Sequence, residues 1–501
     1  MTDTPATEPR RDSDTPDAPA KRPARARWLL PVAIGVVAVV TFGLTLLLVN
    51  ILERQQEAKN PYTQVVELDE TTVDPAIWGQ NFPIQYEQYL KTEEFTPTKY
   101  GGSELQDHEP TADDPREKVP PSKIEEDPRL KIMWDGYAFA VDYRHARGHQ
   151  HMLDDQRRTL RVTQFDQPGT CLNCHASTVP VMDELGNGDR RAGFDAMNAM
   201  TYKEVTEYAD HPVACIDCHD PDTMALTITR PAFEDGIKAL KASQGIEDYD
   251  VNRDATNQEM RSYVCAQCHV EYYFTGEGNT LTFPWAKGID IDDIWDYYMD
   301  NGHVDWVHAT TGAEVLKAQH PEFDIWSNGI HADNGVSCAD CHMAYERDGA
   351  HKVTNHHITN PMIDANASCG TCHSDSADDM KRRVETIQDR FVHSRDQAFD
   401  ALVALIRDIE KGMADGVDEA QLDLAREYQN KASFYIDYVY SENSYGFHAP
   451  DYTQRILNDA LDAARKGQLA VSGVSAEELA ASDVTQKNIE RVGEETAARG
   501  Q

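Results

Sequence analysis

The sequence predicts a mainly α chain: short helices and loops closed by long C-terminal helices, behind one N-terminal membrane-spanning helix. Three observations carry that expectation. The form Cys-x-x-Cys-His occurs five times between residues 171 and 373, in a stretch dense in Gly, Pro, Asn and Asp. After residue 376, apolar side chains recur at helical spacing over two long runs. Near the amino terminus, 25 consecutive residues carry no charge.

Taken in order, residues 1–27 are rich in Pro, Asp, Thr and Arg and end in "KRPARAR", the composition of a disordered, basic-ended tail. The uncharged run is Trp28–Leu52, and at about 1.5 Å per residue it is long enough to cross a hydrocarbon layer of about 30 Å. Pro31 sits near its start, where a helix tolerates it. A cleaved signal peptide is the competing reading, but its apolar region would run about 7 to 15 residues and lead to a small-residue cleavage site, so the length favours a retained anchor. Lys21, Arg22, Arg25 and Arg27 before the span, against Glu53 and Arg54 after it, put the tail in the cytoplasm and the rest of the chain outside.

Residues 53–74 read as a linker and 75–470 as the body of the protein, with irregular structure around "WGQNFPIQYEQYL" as far as residue 135. Residues 136–375 carry the five motifs on short helices and long loops. Helices are expected over about 377–412 and 418–443, and another from near Tyr452. Phe391, Phe399, Leu402, Leu405 and Ile409 share one face of this 377–470 helical part, as packing on the body or as a dimer interface; periodicity does not separate the two. The stretch from 471 to 501 is rich in Ser, Ala and Glu and is expected to be flexible.

The first motif, "CLNCH" at 171–175, taken alone admits a zinc half-site, a redox dithiol or a haem attachment point. Repetition separates them. "CIDCH", "CAQCH", "CADCH" and "CGTCH" follow, and together the five motifs use all ten cysteines. Chance would supply on the order of a hundredth of one such motif in a chain of this length. Disulfides and zinc knuckles have no use for a histidine at one fixed position after every second cysteine, whereas an iron porphyrin needs that imidazole beside its two thioether bonds. The reading is five haems c, bound through Cys171, Cys174, Cys215, Cys218, Cys265, Cys268, Cys338, Cys341, Cys369 and Cys372, with His175, His219, His269, His342 and His373 as proximal ligands. Outer placement agrees, because such attachment is normally completed on the outer side of the bacterial membrane. Porphyrin faces also replace aliphatic packing in a chain whose mean hydropathy is −0.60. The net charge of −39 excludes nucleic acid as a partner, since a polyanion would be repelled.

Five haems make a wire if every sixth coordination position is filled, and an enzyme if one is left open. Fourteen of the nineteen histidines lie outside the motifs, so counting does not decide. His149, His320, His331, His356 and His448 stand out by their local settings.

The runs "CAQCHVEYYF", "LKAQHPEFDIWSNGIHADNGVSCADCHM" and "RGHQHMLDDQRRTLR" closely resemble the pentahaem cytochrome c nitrite reductases, which reduce nitrite to ammonium; the resemblance covers roughly residues 75 to 460. It implies that the first motif's haem is the active one, its open face lined by Arg161, Tyr272 and His320, with a protonated His320 and Arg161 supplying charge to nitrite. It pairs His219 with His356, His269 with His149, His342 with His448, and His373 with His331, and it places Ca²⁺ on Glu271, the Tyr272 and Lys317 carbonyls and the Gln319 side chain. A quinol-oxidising multihaem cytochrome as electron donor and a homodimer belong to the same expectation. Two departures stand out. The best-known members have lysine where this chain has His175, and many lack an anchor of their own. His145 or His151 could then close the sixth position, giving a membrane-anchored conduit; reduction of hydroxylamine or a sulfur oxyanion is a further alternative.

Overall fold

The computed structural model describes residues 26–59, 64–112, 114–349 and 351–481, so the tail read over 1–27 lies almost entirely outside the described residues. The chain divides into two units, 1–64 and 65–501. In the first, one helix runs Ala26–Lys59, and within it Pro31–Val49 has a mean hydropathy of 2.7 with none of its surface buried. An apolar helix bare on every side lacks the partner that water would force on it, and its 19 residues, at about 1.5 Å each, match the thickness of a bilayer core.

The linker expected over 53–74 is shorter in the structure. The helix continues to Lys59, and residues from Val65 onward are folded into the second unit. Leu68 packs with Trp78, Val179 and Ile216. The Asn81 side chain accepts from the amides of Val65 and Val66 at 2.7 and 3.0 Å and donates to the Val66 carbonyl at 2.9 Å. The irregular start expected of the body is also corrected. Two short helices, Pro75–Asn81 and Pro83–Leu90, each open on a proline at a first-turn position, where its missing N–H costs nothing.

The motif region is built as expected, from helices of one to three turns and short two-stranded antiparallel ladders. Its regular structure is too sparse to make a core alone. The mass of the unit is completed by helices Ala377–Asp415, Glu419–Ser441 and Pro450–Val471, which pack on one another. Ser376 caps the first by accepting from the Asp379 amide at 3.2 Å, and Gly416, at φ +78°, ends it. Phe391, Phe399, Leu402, Leu405 and Ile409 are all buried in the main core, so this face packs within the chain. Each such side chain contributes about 1.5 to 3 kcal/mol of burial. Fraying does not begin at 471: helix Ala476–Ala481 follows, and its Leu479 is buried in the same core. Residues 482–501 lie outside the described residues.

Candidate redox and anion site

None of the ten cysteines is in a disulfide. Cys174 of the first motif lies beside Cys268 of the third, and Cys265 of the third beside Cys338 of the fourth. The first, third and fourth motifs are therefore neighbours in space.

Around them, histidines meet in pairs. His219 and His356 have ring centroids 6.2 Å apart, His342 and His448 6.3 Å, and His331 and His373 6.4 Å. Imidazole binds a first-row metal ion at about 2 Å and its ring centre lies about 1.1 Å behind the nitrogen, so a metal ion held between two imidazoles sets their centres about 6.2 Å apart. The residues present fit the group they would hold. The rings of His149 and His269 are outside ring contact; burial pushes His149 down to about 4, helped by the charge of His269.

The backbone aims these rings. Nδ1 of His219 donates to the Met224 carbonyl at 3.0 Å, His342 to Thr359 at 3.0 Å, His356 to Thr354 at 2.8 Å and His175 to Met152 at 3.2 Å. A carbonyl only accepts, so each Nδ1 carries the proton and Nε2 keeps its lone pair for a metal. Met224 adopts φ +60° to present its carbonyl, an uncommon conformation for a residue with a Cβ. Glu442 stands against His448 as a carboxylate neighbour, 2.6 Å from its Nδ1. Gly446, at φ +81°, turns the chain into His448, and a Cβ there would stand 2.8 Å from Phe391.

His175, like His269, has no histidine ring in contact with it among the described residues. His145 and His151 point elsewhere, His145 Nε2 lying 2.7 Å from Glu126 and His151 Nε2 3.1 Å from the Glu93 carbonyl. What surrounds the first motif instead is Arg161, acting on His175 and Cys171; Tyr272, acting on Cys171 and Cys174; and His320, acting on His175. Arg161 rides on helix Leu160–Thr163, its guanidinium 4.2 Å above the Phe139 ring. Among the described residues it makes no ion pair and no hydrogen bond, in a chain with 86 acidic residues. Burial holds the Tyr272 phenol protonated, well above its ordinary range. Burial pushes the His320 imidazole down to about 4, and Glu322, 4.0 Å away, offsets only part of that.

Glu271 is fully buried. Its carboxylate accepts from the Tyr298 hydroxyl at 2.9 Å and the Gln319 amide N–H at 2.7 Å, and no basic side chain pairs with it. Lys317, which could have done so, gives its ammonium to Asp437 at 2.6 Å. The Gln319 side-chain amide already meets the Lys317 carbonyl at 3.3 Å, so a flip of that amide turns a second oxygen toward the same point. A buried carboxylate without a countercharge, beside carbonyl oxygens, suits a hard cation such as Ca²⁺. No cluster of three or more His, Cys, Asp or Glu side chains is found among the described residues, because this donor set has a single carboxylate.

Sequence reading missed the residues that hold this arrangement. Buried Asp324 accepts from the Glu271 amide at 2.9 Å and from the Trp285 indole at 2.6 Å, and burial raises its carboxyl to about 7. It lies in the run "LKAQHPEFDIW", where a carboxylate inside a helix turn of apolar residues was a visible signal. Arg230, buried among the first three motifs, had no sequence signal.

With this geometry in hand, likeness to known proteins can be weighed. The family model described as cytochrome c552 matches residues 74–500. A protein named cytochrome c-552 from Bacteroides fragilis is 35% identical over 470 residues, covering 92% of this chain and 89% of that protein. The cytochrome c nitrite reductase subunit NrfA of Nitratidesulfovibrio vulgaris is 32% identical, covering 87% and 86%. The crystal structure of the catalytic subunit NrfA of the cytochrome c nitrite reductase from Desulfovibrio desulfuricans, described for its two calcium sites, superposes with a TM-score of 0.70 at 31% identity, over 83% of this chain and 90% of that one. The chain therefore belongs to the cytochrome c552 family, that of the cytochrome c nitrite reductases.

Proposed function

We propose that this chain carries five haems c and reduces nitrite to ammonium at the first motif, consuming six electrons and eight protons and releasing two waters. The carrying observation is Arg161, a guanidinium with no carboxylate of its own among the described residues, beside His175, which has no histidine ring in contact with it there. A haem bound at this motif would be held by Cys171, Cys174 and His175 and would supply the redox chemistry and the electrons.

The rest follows from the chain's own groups. Arg161 is charged at every working pH and offers a planar fork of donors, so it attracts nitrite and orients its oxygens in a strongly acidic protein. His320 donates one N–H to an oxygen from a second direction, and Tyr272, a neutral phenol, holds a proton within the same space. Glu271, with the Tyr272 and Lys317 carbonyls and Gln319, would hold the calcium ion that fixes the segment carrying Tyr272. His219–His356, His342–His448, His373–His331 and His269–His149 would saturate the remaining four sites, through which electrons arrive from a membrane quinol-oxidising cytochrome. The helix Pro31–Val49 keeps this body on the extracytoplasmic face, and alkaline extraction of membranes tests that placement.

The rival is a conduit with five saturated irons. Carbon monoxide added to the ferrous protein separates the two: binding at one haem in five is expected, and binding at none would establish the conduit.

A further inference from the structure

Arg230 is 1% exposed and Asp217 equally so, and their side chains meet at 2.8 Å. Such a pair is a poor way to gain stability, because desolvating both charges costs about as much as their attraction returns. Its placement is more informative. Arg230 Nε donates to the Asn173 carbonyl at 2.9 Å and Nη2 to the Ala176 carbonyl at 3.0 Å, so the guanidinium brackets Cys174 and His175 of the first motif on both sides. Those carbonyls end the single turn Leu172–His175, where a helix leaves acceptors unpaired and welcomes a cation. Asp217 belongs to the second motif, between Cys215 and Cys218, and its other oxygen accepts from the Ala214 amide at 2.7 Å. Gln267, between the cysteines of the third motif, closes the unit: its oxygen accepts from the Arg230 amide at 3.1 Å and its NH₂ donates to the Asp217 carbonyl at 3.1 Å.

The positive end of a buried pair thus lies on the first motif and the negative end on the second. In a medium of low dielectric both ends are felt strongly. A cation beside a haem favours its reduced state and an anion beside it favours the oxidised one.

We infer that Arg230 and Asp217 form a fixed dipole that makes the first-motif haem easier to reduce than the second-motif haem, and that Arg230 is also the positioning residue for the turn carrying His175. The inference rests on the reading of haems at these motifs. An electron supplied by a low-potential one-electron donor outside the chain, once on the second-motif site, moves downhill to the first; the one iron is oxidised, the other reduced, and no bond is made or broken.

The test is a spectroelectrochemical titration of the full holoprotein without nitrite, so that its outcome is independent of activity. The high-spin component reports the first motif, and a His356→Met variant marks the component of the second. In Arg230→Gln the gap between the two should narrow, moving the electron's equilibrium between them by tenfold or more, equivalent to about 59 mV for one electron. Arg230→Lys should restore most of the gap while leaving the high-spin paramagnetic resonance signal altered, since charge returns without the two-carbonyl bracket. Should Arg230→Gln fail to fold, Asp217→Asn takes its place and should narrow the gap by raising the second-motif component. An unchanged gap and an unchanged high-spin signal in whichever variant folds would overturn the inference. Loss of nitrite reduction in the wild type alongside a responsive gap would refute the proposed activity and leave the dipole standing.

Discussion

Arg161→Ala removes the one guanidinium near His175 that owes nothing to a carboxylate. Because no acidic side chain is bonded to it, its removal strands no buried negative charge, and the structural cost is confined to the contact with Phe139 at 4.2 Å, about 0.5 to 2 kcal/mol. The binding cost is larger in effect. A hydrogen bond to a charged partner contributes about 1.5 to 3 kcal/mol, so nitrite affinity should fall roughly ten- to 150-fold. The assay is a nitrite titration followed in the high-spin haem spectrum, with thermal melting measured beside it. Arg161→Lys, which keeps the charge and loses the planar fork, should fall between the two. Wild-type affinity in Arg161→Ala, with melting unchanged, would refute the placement of the anion at this iron; if His175→Lys alone abolished binding, the pocket would belong to another motif.

Glu271→Gln should leave all five haems attached while bound calcium and turnover fall together, and chelation of the wild type should reproduce it; metal content measured beside activity checks this. His175→Lys should shift the potential of the high-spin component and the turnover rate without abolishing anion binding, because Arg161 and His320 remain, and redox titration reads the shift. Gly446→Ala forces a side chain into a left-handed conformation against Phe391 and should destabilise the protein by about 2 to 4 kcal/mol, seen as a lower melting temperature with loss of the spectrum of the His342–His448 site.

What the sequence made legible follows the range over which each constraint acts. The motifs are local, so five repetitions of Cys-x-x-Cys-His located the attachment points, and the 3.6-residue period located the three long helices to within a few residues. The partners of His219, His342 and His373 lie up to 137 residues away along the chain and came through family likeness, since nothing in the local spacing of His356 or His448 ties either to a given motif. Burial was not legible either. His320 was expected to be charged because an anion needs charge, whereas the burial that pushes its imidazole down leaves no trace in the local sequence. Asp324, Asp217 and Arg230 take their meaning from three-dimensional neighbours, and a lone charged residue in a sequence reads as surface by default. Val65 and Val66 are fastened by the Asn81 side chain, a contact that composition does not record.

The most direct test of the account is the product of nitrite under a counted electron supply. Isotopically labelled nitrite given to the purified holoprotein with reduced viologen should appear as labelled ammonium, six electrons consumed for each, with no free nitric oxide or hydroxylamine released. Nitrite left unreduced by a protein with all five haems attached, or nitric oxide accumulating as the main product, would contradict it.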